Sequence, residues 1–184
     1  LTKSNLVLRD RDLLQSINRK TKAVVQMTLT TYDEELCRKL EPNVSTTRER
    51  FEVLMRCKEL GIPTLVWMTP ILPFINDTRE NIEGLLDYCL QAGVQGILVF
   101  DVGVTLREGD REYFYQALDR DFPGIRQKYI STYGNAYDIP SPYSKELMAM
   151  IQNTCTANGM LCSPKECFTY LHEFPERYVQ QTLF

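Results

Sequence analysis

The sequence predicts an α/β protein with parallel strands and helices packed outside them. Three observations carry that expectation. An apolar run follows Gly61 with no polar alternation, the pattern of a parallel strand covered on both faces. The same order of helix, glycine, apolar strand and polar loop recurs around Gly93 and residues 96–100. Strands alternate with helices at the spacing of right-handed βαβ units. In such folds ligands sit in the loops after the strands.

The elements follow in order. Leu1-Thr2-Lys3-Ser4 reads as the end of a strand. Residues 9–19 carry Leu13, Leu14 and Ile17 at helical spacing. Residues 22–30 are a β-rich run ending in threonines, and Asp33 caps a short helix through Leu40. Glu41-Pro42 breaks it. The next helix starts near Thr46 or Thr47 and runs to Leu60, with Phe51, Leu54, Met55 and Leu60 on its apolar face. Gly61 suits the position just past its end.

The apolar strand comes next, and Pro70 and Pro73 shape the loop after it. Asp77 or Thr78 then caps a helix to Ala92, with Ile82, Leu85, Leu86 and Cys89 facing inward. Residues 96–100 form the third full strand, ending at Asp101. Beyond it, helices are predicted over 110–121 and 124–133, then a loop over 134–143. Ser144 is predicted to cap a helix toward Asn158-Gly159. Ser163-Pro164 fits an N-cap with proline at the first helical position. The tail from His172 to Phe184 has no assignment.

Composition narrows the classes. The chain has 184 residues, enough for one domain with a core, and 43% are hydrophobic. A net charge of -3 excludes a broad basic field for non-specific nucleic-acid binding. No apolar run approaches membrane-spanning length and no signal-peptide pattern is present. Six cysteines, at 37, 57, 89, 155, 162 and 167, show no disulfide framework, so a reducing, cytoplasmic setting is expected. Three strands and a stub cannot close a barrel, which needs eight strands and about 250 residues. The chain is then either the second half of a barrel or a small open sheet with extra helices. The start at Leu1, which is not a methionine, reads as a fragment.

An ordered set of motifs is more specific. The first block is Thr2-Lys3-Ser4, Leu8-Arg9-Asp10-Arg11-Asp12-Leu13-Leu14 and the strand ending Thr28-Leu29-Thr30-Thr31. The second is Leu40-Glu41-Pro42, Arg48-Glu49-Arg50-Phe51 and Leu60-Gly61-Ile62-Pro63. The third is Pro70-Ile71-Leu72-Pro73 with Asn76-Asp77. Over about residues 1–120 the set resembles the DNA repair photolyase-like branch of the radical S-adenosylmethionine superfamily, related to spore photoproduct lyase. The resemblance implies a partial (β/α) barrel of the TIM type. It implies a four-iron four-sulfur cluster on Cys-x3-Cys-x2-Cys, whose open iron binds S-adenosylmethionine. Reductive cleavage then gives a 5′-deoxyadenosyl radical that takes hydrogen from a substrate. This sequence has no Cys-x3-Cys-x2-Cys and lacks the glycine-rich motif expected after the second strand.

On that resemblance residues 1–133 are expected to be the second part of the barrel, and 134–184 a helical extension packed on it. Lys3, with Ser4 beside it at the stub's end, would meet the methionine carboxylate of S-adenosylmethionine, a charge-assisted contact. Thr28 matches a family serine or threonine, whereas Thr30 reads equally as a strand former. Met68 and Thr69 would offer backbone groups to the adenine. Glu41 is expected to form a surface pair with Arg48 or Arg50, bracing two helices for ~0–1 kcal/mol. Asp101 suits either a site or a loop cap. Cys155, Cys162 and Cys167, with His172 beyond them, match no standard ligand spacing and read as buried thiols. No catalytic residue and no metal ligand is assigned.

The expected function is the cofactor and substrate half of a radical enzyme acting on a nucleic-acid or related substrate. S-adenosylmethionine and the cluster belong to the intact parent, with none bound to this chain alone. No membrane partner is expected. A homodimer through the exposed sheet edge, or C-terminal helices folded over the open face, would cover that edge. The alternatives are a cluster-free binding or structural module and, more weakly, a (β/α) hydrolase or aldolase. The last lacks a nucleophile constellation.

Overall fold

A computed structural model of the chain describes residues 1–174. Three parallel strands, β1 (Val25–Thr28), β2 (Thr64–Trp67) and β3 (Gly96–Leu98), form a sheet in the order β1-β2-β3. Pairing runs Val25↔Thr64 through Thr28↔Trp67, and Leu65↔Gly96 through Trp67↔Leu98. The sheet is extended at both sides by single bridges. Thr2 pairs in parallel with Met27, so the predicted stub stands beside β1. Leu161 pairs in parallel with Gly96. That approach requires glycine, since a Cβ at Gly96 would lie 2.6 Å from the Leu161 carbonyl oxygen.

The helices follow the sequence closely. A short 3-10 helix (Asn5–Asp10) leads into α1 (Arg11–Lys20). Asp33 caps α2 (Glu34–Leu40), accepting from the Leu36 amide at 2.7 Å. Thr46 and Glu49 close a capping box on α3 (Thr47–Glu59). Thr78 caps α4 (Arg79–Ala92). Leu54, Val66, Ile82, Leu85 and Ile97 are fully buried where α3 and α4 cover one face of the sheet. α1 is the exception: Leu13 is 62% exposed and no residue of α1 is buried.

After β3 the sequence reading and the structure part. The third strand ends at Leu98 rather than Phe100. Two further strands, β4 (Gly103–Thr105) and β5 (Asp138–Pro140), pair as an antiparallel ribbon. β5 lies within the stretch predicted as a loop, so the segment after residue 133 is not purely helical. A Cβ at Gly103 would lie 2.5 Å from the Ile139 carbonyl oxygen, so the ribbon closes only on glycine. α5 (Asp110–Asp121) and α6 (Ile125–Tyr133) pack on the ribbon around a separate aromatic core.

α7 (Ser144–Ala157) returns to the main core through Leu147, Ile151 and Cys155. Its N-cap position is Tyr143, not Ser144, whose hydroxyl donates instead to Asp101 Oδ1. Ser163 caps α8 (Pro164–His172), with proline at its start as predicted. α8 covers the second face of the sheet, where Cys167 joins Leu65 and Leu98. The tail from residue 175 lies outside the described residues. Among the described residues no helix is long and apolar enough to cross a membrane.

Candidate functional site

The carboxyl ends of the parallel strands carry a row of polar groups. Pairing Thr2 with Met27 places Lys3 level with Thr28, and β1, β2 and β3 then run out into Thr30, Thr69 and Asp101. A cleft of about 640 Å³ opens at the ends of β2 and β3. Thr69, Pro70, Phe100 and Asp101 form its sheet side, and Thr105 and Asp138 of the ribbon form the other. Such a cleft, mixed apolar and polar, is of ordinary ligand size.

The predicted site residues separate into two groups. Thr69 lines the cleft. Lys3 stands at a strand end and is partly exposed, but its ammonium is engaged by Glu41 Oε1. An ammonium has three donors, so one partner does not exhaust it. Thr28 is buried, and its carbonyl accepts from Arg50 Nη1 at 3.1 Å. The Thr30 carbonyl takes two amide donors, Asn76 Nδ2 at 2.9 Å and Asn81 Nδ2 at 3.0 Å. Ser4 is spent locally: its hydroxyl accepts from the Leu6 amide and caps the 3-10 helix. The Met68 side chain is fully buried in the helix-facing core, and its amide donates to the Leu98 carbonyl at 3.0 Å.

The Glu41 pair differs from the surface contact expected. Arg50 is its partner, with Nη1 2.7 Å from Glu41 Oε2, and the Arg50 side chain is fully buried. The two groups are close but poorly aligned, so Glu41 Oε2 and Arg50 Nη2 have no hydrogen-bond partner among the described residues. The Arg50 Nε donates to the Ser45 carbonyl at 2.8 Å. Arg50 therefore ties the α2–α3 loop to the end of β1, and a buried charge so held is costly to uncover. Its position was readable: Thr47, Arg50, Phe51, Leu54 and Cys57 share one buried helix stripe.

A second polar tie fastens the ribbon. Asp77 is buried and accepts from the Ser141 hydroxyl. Burial pushes its carboxyl above the usual range, with the Ser141 hydrogen bond pulling the other way. The Ser141 amide donates to the Val102 carbonyl at 2.7 Å. Asp101 accepts from the Val102 amide and from Ser144, so it organises the cleft wall as well as facing it. Gly103, Thr105 and Asp138, which also line the cleft, escaped the sequence reading because their strands are too short for a period.

The cysteines do not fit the family cluster. Cys37, Cys57, Cys89, Cys155 and Cys167 are buried in the cores, and none ends a strand of the sheet. Burial raises the Cys57 and Cys167 thiols to about 11 and Cys89 to about 12, far from thiolates ready to bind iron.

No family model matches the chain. An uncharacterized protein of Mycobacterium tuberculosis is 29% identical over 147 residues, covering 80% of this chain and 43% of that protein. An uncharacterized protein of Acidianus two-tailed virus is 30% identical over 99 residues, covering 52% of this chain and 32% of its own length. One from Methanocaldococcus jannaschii is 32% identical over 79 residues, covering 43% and 29% respectively. The chain thus spans less than half the length of these curated relatives.

Proposed function

We propose that the chain is the cofactor- and substrate-facing half of a radical S-adenosylmethionine barrel of the DNA repair photolyase-like kind. The observation that carries this reading is the set of polar residues at neighbouring strand ends, Lys3 level with Thr28, and Thr69 and Asp101 lining the cleft beside them. The motif order described above points to the same class. In this reading the cluster ligands come from outside these residues, and no step through the cluster is assigned to this chain. S-adenosylmethionine supplies the radical precursor when bound. Lys3 would hold its carboxylate, Thr69 would offer its backbone groups to the nucleoside, and Thr28, buried at the end of β1, would act only after a local opening. Asp101 and Asp138 would face the substrate side, one on each wall of the cleft.

The substrate is a nucleic acid or a related nucleotide, and the setting is cytoplasmic. An open sheet edge beside the Thr2 bridge pairs with a second copy where nothing else covers it. The second reading, a cluster-free binding module, is favoured by the burial of the cysteines away from the strand ends.

Anaerobic reconstitution tests the division of labour. The chain alone, loaded with iron, sulfide, reductant and S-adenosylmethionine, is expected to give no 5′-deoxyadenosine above a no-protein control. The chain joined to a segment bearing Cys-x3-Cys-x2-Cys is expected to give it. Product from the chain alone would overturn the division, and none from either would leave the binding-module reading.

A further inference from the structure

Three charges run in a chain from the interior to the end of β1: Arg50, Glu41 and Lys3. The backbone before Lys3 is fixed beside the strand. The Thr2 amide donates to the Gln26 carbonyl at 2.9 Å, and the Thr2 carbonyl accepts from the Thr28 amide at 3.2 Å. The Lys3 side chain is a different matter, since its ammonium sits on a flexible four-carbon stem with many rotamers. Glu41 supplies the missing constraint. It is the C-cap residue of α2, and its amide donates to the Cys37 carbonyl at 2.8 Å. Its Oε1 accepts from the Lys3 ammonium, and its Oε2 lies 2.7 Å from Arg50 Nη1. Arg50 is anchored in turn, by the Ser45 carbonyl at 2.8 Å and the Thr28 carbonyl at 3.1 Å.

The charges along this chain do not cancel. Two cations share one carboxylate, and among the described residues neither cation has another acidic partner. The Arg50 side chain is fully buried, that of Glu41 is 13% exposed and that of Lys3 is 43% exposed. The excess positive charge therefore reaches solvent at Lys3. We propose that Glu41, braced by Arg50, is a positioning residue that holds the Lys3 ammonium at the end of β1 for the carboxylate of a ligand. The inference rests on the reading of Lys3 given above and adds what makes that lysine a placed cation. An ammonium has three donors, so Glu41 takes one and leaves two for the incoming carboxylate. With the ligand bound, two cations face two carboxylates.

Glu41 acts on an anion at this place in two ways of opposite sign. Its charge repels the anion, which weakens binding. Its bond to Lys3 places the anion's partner in advance, which strengthens binding. Holding the rotamers of one lysine changes affinity by about 10-fold. Only the second effect requires Lys3, so the two can be told apart.

The test titrates cluster-loaded protein containing this chain with S-adenosylmethionine and with its decarboxylated form, which lacks the group that Lys3 would meet. The parent is expected to prefer the carboxylated ligand. Glu41→Gln keeps the size of the side chain and an acceptor for Arg50. It is expected to bind S-adenosylmethionine about 10-fold more weakly and the decarboxylated form as the parent does. Added to Lys3→Ala, the same substitution is expected to cost nothing further, because it acts through Lys3. Equal weakening of both ligands, the mark of a structural role, would overturn the proposal. So would tighter or unchanged binding of S-adenosylmethionine by Glu41→Gln. Lys3→Ala separates this inference from the reading beneath it. If Lys3→Ala narrows the preference and Glu41→Gln does not, positioning fails and the reading of Lys3 stands. If Lys3→Ala leaves the preference unchanged, the reading of Lys3 fails and positioning falls with it.

Discussion

The two cores of the molecule are built from different materials. The main core, between the parallel sheet and α3, α4 and α7, is mostly aliphatic: Leu54, Val66, Ile82, Leu85, Ile97 and Ile151 are fully buried. The second core, between the β4–β5 ribbon and α5 and α6, is aromatic, with Tyr129 at its centre. Phe74 and Phe114 meet the Tyr129 ring edge-on at 5.6 Å and 5.4 Å. A sheet flanked by long helices presents wide apolar faces that branched side chains fill. Two three-residue strands cannot, so a few large rings supply the buried area instead. The cleft lies where these two constructions meet, one wall on each.

The comparison can be broken first at Arg50. Arg50→Ala would leave the Thr28 and Ser45 carbonyls without their donor and Glu41 with Lys3 alone, and is expected to cost about 3–5 kcal/mol in a denaturant titration. Tyr129→Phe is expected to cost less, about 1–3 kcal/mol, because the Pro73 carbonyl loses its donor while the ring packing stays. If Tyr129→Phe proved the more damaging, the aromatic core would be the keystone and the ranking wrong.

Asp77 sharpens the comparison through pH. Its folded carboxyl is raised by burial, so the folded state holds the proton more tightly than the unfolded chain does. The stability it contributes is full below the ordinary carboxylate range and is lost as pH rises through the folded value. Asp77→Asn, which still accepts from Ser141, is expected to flatten that decline. A mutant with the parent's pH profile would remove Asp77 as its source. The smallest effect is expected on the surface: Arg79→Ala breaks an exposed pair with Glu83 at 2.8 Å and should leave the denaturation midpoint unchanged. A lowered midpoint would mean that α4 depends on its outer face.

The same divide governs what the sequence disclosed. The parallel strands and their helices were legible because each carries a signal over many residues: an apolar run, a helical stripe, an Asp33 or Thr46 cap. The ribbon was not, since Gly103–Thr105 and Asp138–Pro140 are held by pairing with each other rather than by any local period. Thr69 and Asp101 were readable as strand-end residues. Thr105 and Asp138 were not, because only the ribbon brings them to the cleft. The stripe of α1 disclosed the helix but not its setting: Leu13 and Ile17 have helical spacing and lie 62% and 38% exposed.

The claim that the strand ends bind S-adenosylmethionine is tested most directly at Lys3. S-adenosylmethionine is titrated into cluster-loaded protein containing this chain, with Lys3→Ala and Arg11→Ala compared. Arg11 lies on exposed α1, beside Asp12. Loss of one charge-assisted hydrogen bond costs roughly 1.5–3 kcal/mol, so Lys3→Ala should bind about 10- to 150-fold more weakly. Arg11→Ala should bind like the parent. Equal affinities for the two variants would take Lys3 out of the site and contradict the account.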